Sequence, residues 1–232
     1  MAEIIPAILE KNFSEIKNKL TALRENAKCV HIDMCDGVAV PNQTWPFSSS
    51  GLEDYDFKKI MNEEEGMPFW EEFDFEFDLM VADGIENFDL YMKLGPKRLI
   101  FHPDIGGDTE EFENFLEGLD MYIRDNVEIG IAFKPNDDLS IVSRLSHKAD
   151  FLHCMGSDKI GFQGEAFSDK ALENLKFLKK NLPNVVISVD IGINLQNAQS
   201  ILDAGADRLT VGSSIWRSGD PIGTLQTFQS LV

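Results

Sequence analysis

Residues 29–37 read Cys-Val-His-Ile-Asp-Met-Cys-Asp-Gly, an apolar run that carries a histidine and two aspartates and ends at a glycine. Because side chains alternate between the two faces of a strand, His31, Asp33 and Cys35 share one face and the apolar residues between them share the other. This pattern is typical of an α/β barrel, where ligands bind at the carboxyl ends of the strands. A parallel strand whose polar end simply reaches solvent would have the same pattern. The sequences of the other strands are therefore needed to choose between these two interpretations.

A repeated junction indicates that the rest of the chain follows the same plan. An amphipathic helical pattern, a small residue and a short apolar strand recur along the sequence. We predict eight strands, near residues 3–8, 28–34, 74–81, 98–102, 128–133, 150–155, 185–190 and 208–211. Helical patterns lie between them, at about 12–26, 84–94, 108–125, 138–146, 168–182, 195–204 and 220–231.

Eight alternating units in 232 residues predict an α/β fold with one (β/α)8 barrel domain spanning residues 1–232. An open doubly wound sheet is the alternative, and it would require a glycine-rich fingerprint after the first strand, which residues 9–12 lack. Asn12 and Glu15 are spaced as a capping box at the start of the first helix.

The segment 43–72 interrupts this rhythm after the second strand. It is longer than a connecting loop and one helix require, so we predict an insertion there that acts as a lid or a contact surface. Its aromatic residues are expected to form a small satellite core or an interface patch. They are Trp45, Phe47, Phe69 and Trp70.

The net charge of −19 excludes most nucleic-acid-binding functions, because few basic groups are available to replace phosphate counterions. No apolar run approaches the roughly 18 residues of a membrane span, and the amino terminus does not resemble a secretory signal. The three cysteines, Cys29, Cys35 and Cys154, have no CxxC spacing and predict buried thiols in a reducing compartment. We therefore expect a cytoplasmic protein with a small-molecule partner, no nucleic acid or membrane partner, and possible homo-oligomerisation.

The carboxyl ends of the predicted strands bring together one set of side chains. This set comprises His31, Asp33, Asp78, Met80, His102, Met155, Asp190, Gly212 and Ser213. Asp33 and Asp190, on the second and seventh strands, would face one another obliquely across the mouth of the barrel. Two carboxylates placed in this way can remove a proton from one face of a small substrate and return one to the other.

The same residues predict a metal site. His31, Asp33, Asp78 and Asp190 together offer ligands for a divalent cation. Without a cation, the clustered carboxylates would raise one another's pKa. His102 is equally compatible with a structural role, whereas His147 and His153 are expected to be structural or exposed. Asp36 is expected to cap a turn rather than to take part in chemistry.

Glycine turns after the last three strands predict an anion site. Barrel phosphate sites are commonly built from loops after strands seven and eight, whose backbone N–H groups point at the anion. The predicted cradle comprises Gly161, Gly164, Gly192, Gly212 and Ser213, with Lys159 or Arg217 as possible helpers. Because the chain is acidic overall, such local donors would have to supply the binding.

These motifs resemble the ribulose-phosphate 3-epimerase family over nearly the whole chain, in order. Residues 31–37 with 40–42 look like HxDVMDG…VPN, 6–9 like PSIL, and 78–81 like HLMV. Residues 161–167 are similar to GFGGQKF, 189–192 to VDGG, and 211–215 to AGSAIF. The resemblance implies a barrel of the ribulose-phosphate-binding type.

The resemblance also implies site roles. In that family two histidines and two aspartates bind a metal that stabilises a 2,3-enediolate, and two aspartates are the paired acid and base. These roles fall on Asp33 and Asp190 as acid and base and on His31, Asp33 and Asp190 as ligands. The phosphate cradle falls on Gly164, Gly192, Gly212 and Ser213. Cys35, Met80, His102 and Met155 would line the site.

The chain departs from the family at four positions. Asp78 replaces the histidine of HLM, Ala7 replaces the serine of PSIL, and Ile191 replaces a glycine of VDGG. Cys35 stands where the family has methionine, which keeps a soft sulfur near the metal. If Asp78 ligates the metal, hard oxygen donors favour Mn²⁺ or Mg²⁺, with Zn²⁺ or Fe²⁺ still open. Otherwise the site holds no metal and Asp78 is protonated.

Three functions are consistent with these residues. The first is an epimerase of a phosphorylated ketose in pentose phosphate metabolism, an isomerase that works through two aspartates and a metal. The second is a degenerate barrel that binds a sugar phosphate without turning it over. The third is a lyase or decarboxylase on the same scaffold.

Overall fold

The computed structural model describes residues 2–47, 51–105 and 109–232. Its eight strands are all parallel to their neighbours and close into a barrel in sequence order. They are β1 (Glu3–Ile8), β2 (Cys29–Cys35), β3 (Asp74–Met80), β4 (Arg98–Phe101), β5 (Glu128–Phe133), β6 (Phe151–Met155), β7 (Val186–Asp190) and β8 (Arg208–Val211). The predicted (β/α)8 barrel is confirmed, and each strand bound lies within one residue of its prediction.

Helices alternate with these strands around the outside of the barrel. They are α1 (Phe13–Leu23), α2 (Tyr55–Met61), α3 (Phe88–Met92), α4 (Thr109–Gly118), α5 (Met121–Asn126), α6 (Leu139–Leu145), α7 (Asp169–Asn181), α8 (Ala198–Asp203), α9 (Ser213–Trp216) and α10 (Pro221–Gln229). Asn12 caps α1 by accepting from the backbone N–H of Glu15, as predicted. In the part of the chain that the structure describes, no helix combines the length and the apolar content needed to cross a bilayer.

The continuous helix predicted at 108–125 is wrong. Its first position lies outside the described residues, and the remainder is two helices, α4 and α5. Asp120 is the reason, because its side chain accepts a hydrogen bond from the N–H of Ile123 and so begins a new helix.

The segment 43–72 contains α2, the crossover helix between β2 and β3. Trp45 is buried and packs against Phe13 of α1 and Phe57 of α2. Phe47 and Phe69 pack against the same core, whereas Trp70 is 65% exposed. Three of the four aromatic residues thus join the main core between barrel and helices, and the predicted separate satellite core is wrong.

The amino-terminal end of the barrel is filled by a charged layer. Glu3, Arg98, Glu128 and Arg208 are the first residues of β1, β4, β5 and β8. Arg98 lies 3.1 Å from Glu3 and 3.3 Å from Glu128, and Arg208 lies 2.7 Å from Glu128. Arg208 also lies over the ring of Phe151. The interior that remains for a ligand is therefore at the carboxyl ends of the strands.

Candidate active site and metal centre

A pocket opens at the carboxyl end of the barrel and gathers most of the predicted site. Its walls include Asp33, Met80, Met155, Gly161, Gly164, Asp190, Gly192, Gly212 and Ser213. His31 and Asp78 do not line it but are buried among the barrel's inward-facing side chains. Cys35 and His102 are also buried outside the pocket wall. The structure therefore brings nine of the thirteen predicted residues to one cavity and the other four beneath or beside it.

Asp33 and Asp190 are the two carboxylic acids of the pocket, and both are almost completely buried. Burial and the negative charge of Asp33 raise the pKa of Asp190 to about 7. Burial also raises the pKa of Asp33, although the hydrogen bond from His31 opposes that rise. Near neutral pH, the pair therefore holds a proton that it can give up or regain, as acid–base chemistry requires.

His31 is held between two carboxylates. Its Nδ1 lies 2.7 Å from Oε1 of Glu76, and its Nε2 lies 3.2 Å from Oδ1 of Asp33. Burial would lower the pKa of His31, but the hydrogen bonds to Asp33 and Glu76 outweigh burial and raise it well above its usual value. Glu76 in turn lies 3.5 Å from Arg98 of the charged layer. Glu76 thus fixes the orientation of the imidazole.

Asp78 is paired with His102. Its Oδ1 lies 2.7 Å from Nε2 of His102, and both side chains are buried. Burial would raise the pKa of Asp78, but the positive charge of His102 outweighs burial and lowers it. Asp78 also raises the pKa of His102 against the effect of burial. The alternative of a protonated Asp78 is therefore wrong, because an ion pair keeps this carboxylate charged.

His153 is fully buried inside the barrel, and its ring stacks on that of His31 at 5.6 Å and 11°. Burial lowers the pKa of His153 to about 4, so its ring is neutral at pH 7. Neither ring nitrogen has a hydrogen-bond partner among the described residues. His147, by contrast, is exposed, as predicted.

Ligand atoms of His31, Asp78, His153 and Asp190 lie within 4.8 Å of one another. Two imidazoles and two carboxylates suit a divalent transition-metal ion. Asp78 Oδ2, like His153, has no hydrogen-bond partner in the described parts of the chain. The residues present therefore fit a metal ion. Asp33, the remaining predicted ligand, lies outside this group and contacts it through His31.

The predicted phosphate cradle carries two side chains, Arg217, which was predicted as a possible helper, and Gln163, which was not predicted. A Cβ atom at Gly212 would lie 2.5 Å from Nε2 of Gln163, and one at Gly164 would lie 2.5 Å from Nη1 of Arg217. The buried Nε2 of Gln163 has no acceptor among the residues that the structure describes. An amide and a guanidinium thus supplement the backbone N–H groups, whereas Lys159 is largely exposed and lies 3.7 Å from Glu165.

The remaining predicted residues form the apolar part of the interior. Cys35, Met80 and Met155 pack in one buried cluster with Ile191. Burial raises the pKa of the Cys35 thiol, which therefore stays protonated. Asp36 caps the turn after β2, because its carboxylate accepts from the N–H groups of residues 38, 39 and 82. The predicted role of Asp36 in the turn is confirmed, as are the three buried free thiols.

Sequence reasoning missed Glu76 and Gln163, and it gave His153 only a structural or exposed role. Strand alternation could have placed Glu76 and His153 in the site. Glu76 lies two residues before Asp78 on β3, and His153 lies two residues before Met155 on β6. Each therefore shares the inward face of a residue that was already a candidate.

Comparison with known proteins gives a consistent family relationship. The sequence profile described as "Ribulose-phosphate 3 epimerase family" matches residues 3–216. Ribulose-phosphate 3-epimerase of Schizosaccharomyces pombe is 24% identical over 222 residues, which cover 95% of this chain and 89% of that protein. Other relatives of that name are 23% to 26% identical.

Solved structures share the barrel at lower identity. The 3-hexulose-6-phosphate synthase from Salmonella typhimurium has a TM-score of 0.69 and 18% identity, covering 99% of this chain and 97% of that one. KGPDC from Streptococcus mutans, solved in complex with a sugar phosphate, has a TM-score of 0.70 and 11% identity, covering 99% and 96%. At these identities the likeness shows the fold alone.

Proposed function

Because the chain belongs to the ribulose-phosphate 3 epimerase family, we propose that it epimerises a phosphorylated ketose by proton transfer between the substrate and the pair Asp33 and Asp190. The observation that carries this proposal is the placement of two buried carboxylic acids in one pocket. They come from β2 and β7, so they approach the pocket from different sides. One carboxylate takes the proton next to the carbonyl, and the other carboxylic acid returns one to the opposite face.

The protonation states support this assignment. The two-aspartate mechanism needs one acid ionised and the other protonated at the same time. In the metal-free protein the pKa of Asp190, about 7 because of burial and the charge of Asp33, allows this near neutral pH. When a metal holds Asp190 ionised, the proton would be carried by Asp33, whose pKa burial also raises. Both carboxyl groups are almost completely buried, and low exposure to water strengthens the electrostatic interactions between them.

The phosphate of the substrate would bind in the cradle at Gly164, Gly192, Gly212 and Ser213. Gln163 and Arg217 support this placement, because an amide donor and a positive charge are beside the glycines. A negative chain needs such local donors to hold an anion. Anchoring the phosphate would fix the sugar carbons between the two aspartates.

A metal would be held by His31, Asp78, Asp190 and a fourth ligand. When bound, a divalent ion supplies positive charge next to the oxygen atoms that become negative as the proton leaves. Glu76 orients His31 through the 2.7 Å contact at Nδ1. His102 balances the charge of Asp78.

The test is solvent exchange in D2O, followed by NMR on candidate ketose phosphates, beginning with ribulose 5-phosphate because the relatives are named ribulose-phosphate 3-epimerase. Deuterium incorporation at the carbon next to the carbonyl, with inversion, is the expected result. Stabilisation by the ligand without exchange would favour the non-catalytic sugar-phosphate barrel. Loss of a carbon or cleavage of a carbon–carbon bond would favour the lyase or decarboxylase.

A further inference from the structure

We propose that His153, on β6, is a ligand of the metal, so that the site is His31, Asp78, His153 and Asp190. This inference rests on the proposed function, because the ion would serve that same reaction. It differs from the ligand set predicted from the sequence, in which Asp33 occupied the fourth position. The proposed ligands come from four strands, β2, β3, β6 and β7.

The hydrogen-bonding capacity of His153 is unmet among the described residues. Its side chain is fully buried, yet neither ring nitrogen has a partner in the described portion of the chain. An unsatisfied buried polar group costs about 1–3 kcal/mol, so such a group calls for an unseen partner. A coordinated ion would be such a partner.

The side chain of His153 projects toward the other members of the ligand set. Its register neighbours on β5 and β7 are Ala132 and Ser188, whose small side chains leave the imidazole free to extend toward the barrel axis. There it meets His31, and the two rings lie almost parallel. Oδ2 of Asp78, another buried atom without a hydrogen-bond partner among the described residues, belongs to the same cluster.

The four side chains are close enough together to share one ion. The four ligand atoms lie within 4.8 Å of one another. Ligand atoms held at about 2.1 Å from a tetrahedral ion lie about 3.4 Å apart, so small side-chain rotations close the gap. Asp33 is already engaged with His31 and lies outside this set.

The total charge and the donor atoms of these four ligands match a divalent ion. Two imidazoles and two carboxylates neutralise a divalent ion, whereas the set with Asp33 in place of His153 would leave an excess negative charge. In this set β3 contributes the carboxylate of Asp78, and β6 contributes the second imidazole, that of His153. Asp33 then keeps its carboxylate for proton transfer alone.

The experiment uses Co²⁺ as a spectroscopic probe of the full-length protein. Each imidazole bound through one nitrogen keeps an exchangeable N–H on the other, which the paramagnetic ion shifts out of the normal proton spectrum. We expect two such signals in the wild-type protein and one in His153→Gln. The variant should bind Co²⁺ at least about 100-fold more weakly, beyond the range typical of a lost outer-shell contact. His147→Gln, at an exposed histidine, is the matched control and should leave signals and affinity unchanged.

A second variant guards against misfolding. His153→Leu removes the unpartnered polar atoms, so without metal it should be at least as stable as the wild-type protein. It should also lose most of the rise in Tm that Co²⁺ produces in the wild-type protein. A purely structural histidine would give the opposite pattern.

The outcomes separate this inference from the proposed function. Two signals and full affinity in His153→Gln would overturn the ligand assignment and leave the epimerase proposal standing. Absence of Co²⁺ binding to the wild-type protein would also overturn the assignment. Metal binding that depends on His153, in a protein that exchanges no proton of any ketose phosphate tested, would support the assignment while the proposed function fails.

Discussion

The Oδ1 atom of Asp78 lies 2.7 Å from Nε2 of His102, and both side chains are buried within the barrel. This contact explains how the barrel accommodates the buried carboxylate of Asp78. The carboxylate has a cation of its own, so it does not need to be protonated. Removing one member of such a buried ion pair strongly destabilises the folded protein, because the other charge is left buried without a partner.

We predict that Asp78→Asn lowers the free energy of unfolding of the metal-free protein by about 3–5 kcal/mol near pH 6. The pKa of His102 is raised in the folded state, so the stability it contributes is complete below its unfolded value and is lost as pH rises through the folded value. The deficit should therefore shrink at high pH. Urea unfolding across pH measures it, and the charge-exchanged variant Asp78→His, His102→Asp should recover part of the loss. A deficit that does not change with pH would contradict the ion pair.

The acid–base pair gives a second prediction. Asp33→Asn and Asp190→Asn keep the size of the side chain and remove the titrating oxygen, so each should lower epimerisation and solvent exchange by about 10²–10⁴-fold. Asp36→Asn is the control on the same segment, because the asparagine oxygen can still accept the N–H bonds of residues 38 and 39, and only the bond from residue 82 is lost. Turnover within a few-fold of wild type in either pocket variant would remove that residue from the mechanism.

Metal binding should release protons near neutral pH. Burial and Asp33 raise the pKa of Asp190 to about 7, and the pKa of His31 is raised by its two carboxylate partners. Both groups must lose their protons to coordinate, so affinity should fall about tenfold per pH unit for each proton displaced as the solution is acidified. Calorimetric titration with Mn²⁺ in two buffers of different ionisation enthalpy counts these protons. Identical heats in both buffers would show that none is released.

The cradle can be tested through steric contact. Gly212→Ala places a Cβ 2.5 Å from Nε2 of Gln163, so the amide must move into the space proposed for phosphate. We expect KM for the phosphorylated ketose to rise about tenfold, equivalent to the loss of one charge-assisted hydrogen bond, with a smaller change in kcat. Adding Gln163→Ala relieves the crowding and should bring KM part of the way back. If KM of the double variant rises by more than the product of the increases in Gly212→Ala and Gln163→Ala alone, the amide of Gln163 has another role.

Ile191 supplies a stability prediction that is independent of function. Its backbone is in the left-handed region, with φ of 67°, although it is a branched residue. This conformation costs a non-glycine residue roughly 1–2 kcal/mol. Ile191→Gly should therefore be more stable than Ile191→Ala by about 1 kcal/mol, the reverse of the usual order. Both should lose packing against the cluster that contains Met155. Thermal unfolding of the two variants decides the order.

The sequence was sufficient to predict the barrel, but it did not predict all of the site residues that lie below the pocket. Strand positions could be predicted because parallel strands buried on both faces are short apolar runs between amphipathic helices. The candidates at strand ends, such as Asp33 and Asp190, followed from the same pattern. Alternation along β3 and β6 places Glu76 and His153 on the inward face, but it does not show which inward side chains meet across the barrel. Contacts between strands that are not neighbours, such as β2 and β6, also require a closed barrel in three dimensions.

The charged layer of Arg98, Arg208, Glu3 and Glu128 has a kinetic consequence. It fills one end of the barrel, and the pocket with Asp33 and Asp190 opens at the other. His31 and Asp78 lie below that pocket, so an ion bound there would have the sugar phosphate above it. Loading would then follow a compulsory order, with the ion first in and last out. Saturating substrate should slow the removal of the ion by a chelator, because the occupant of the entrance must depart before the ion can.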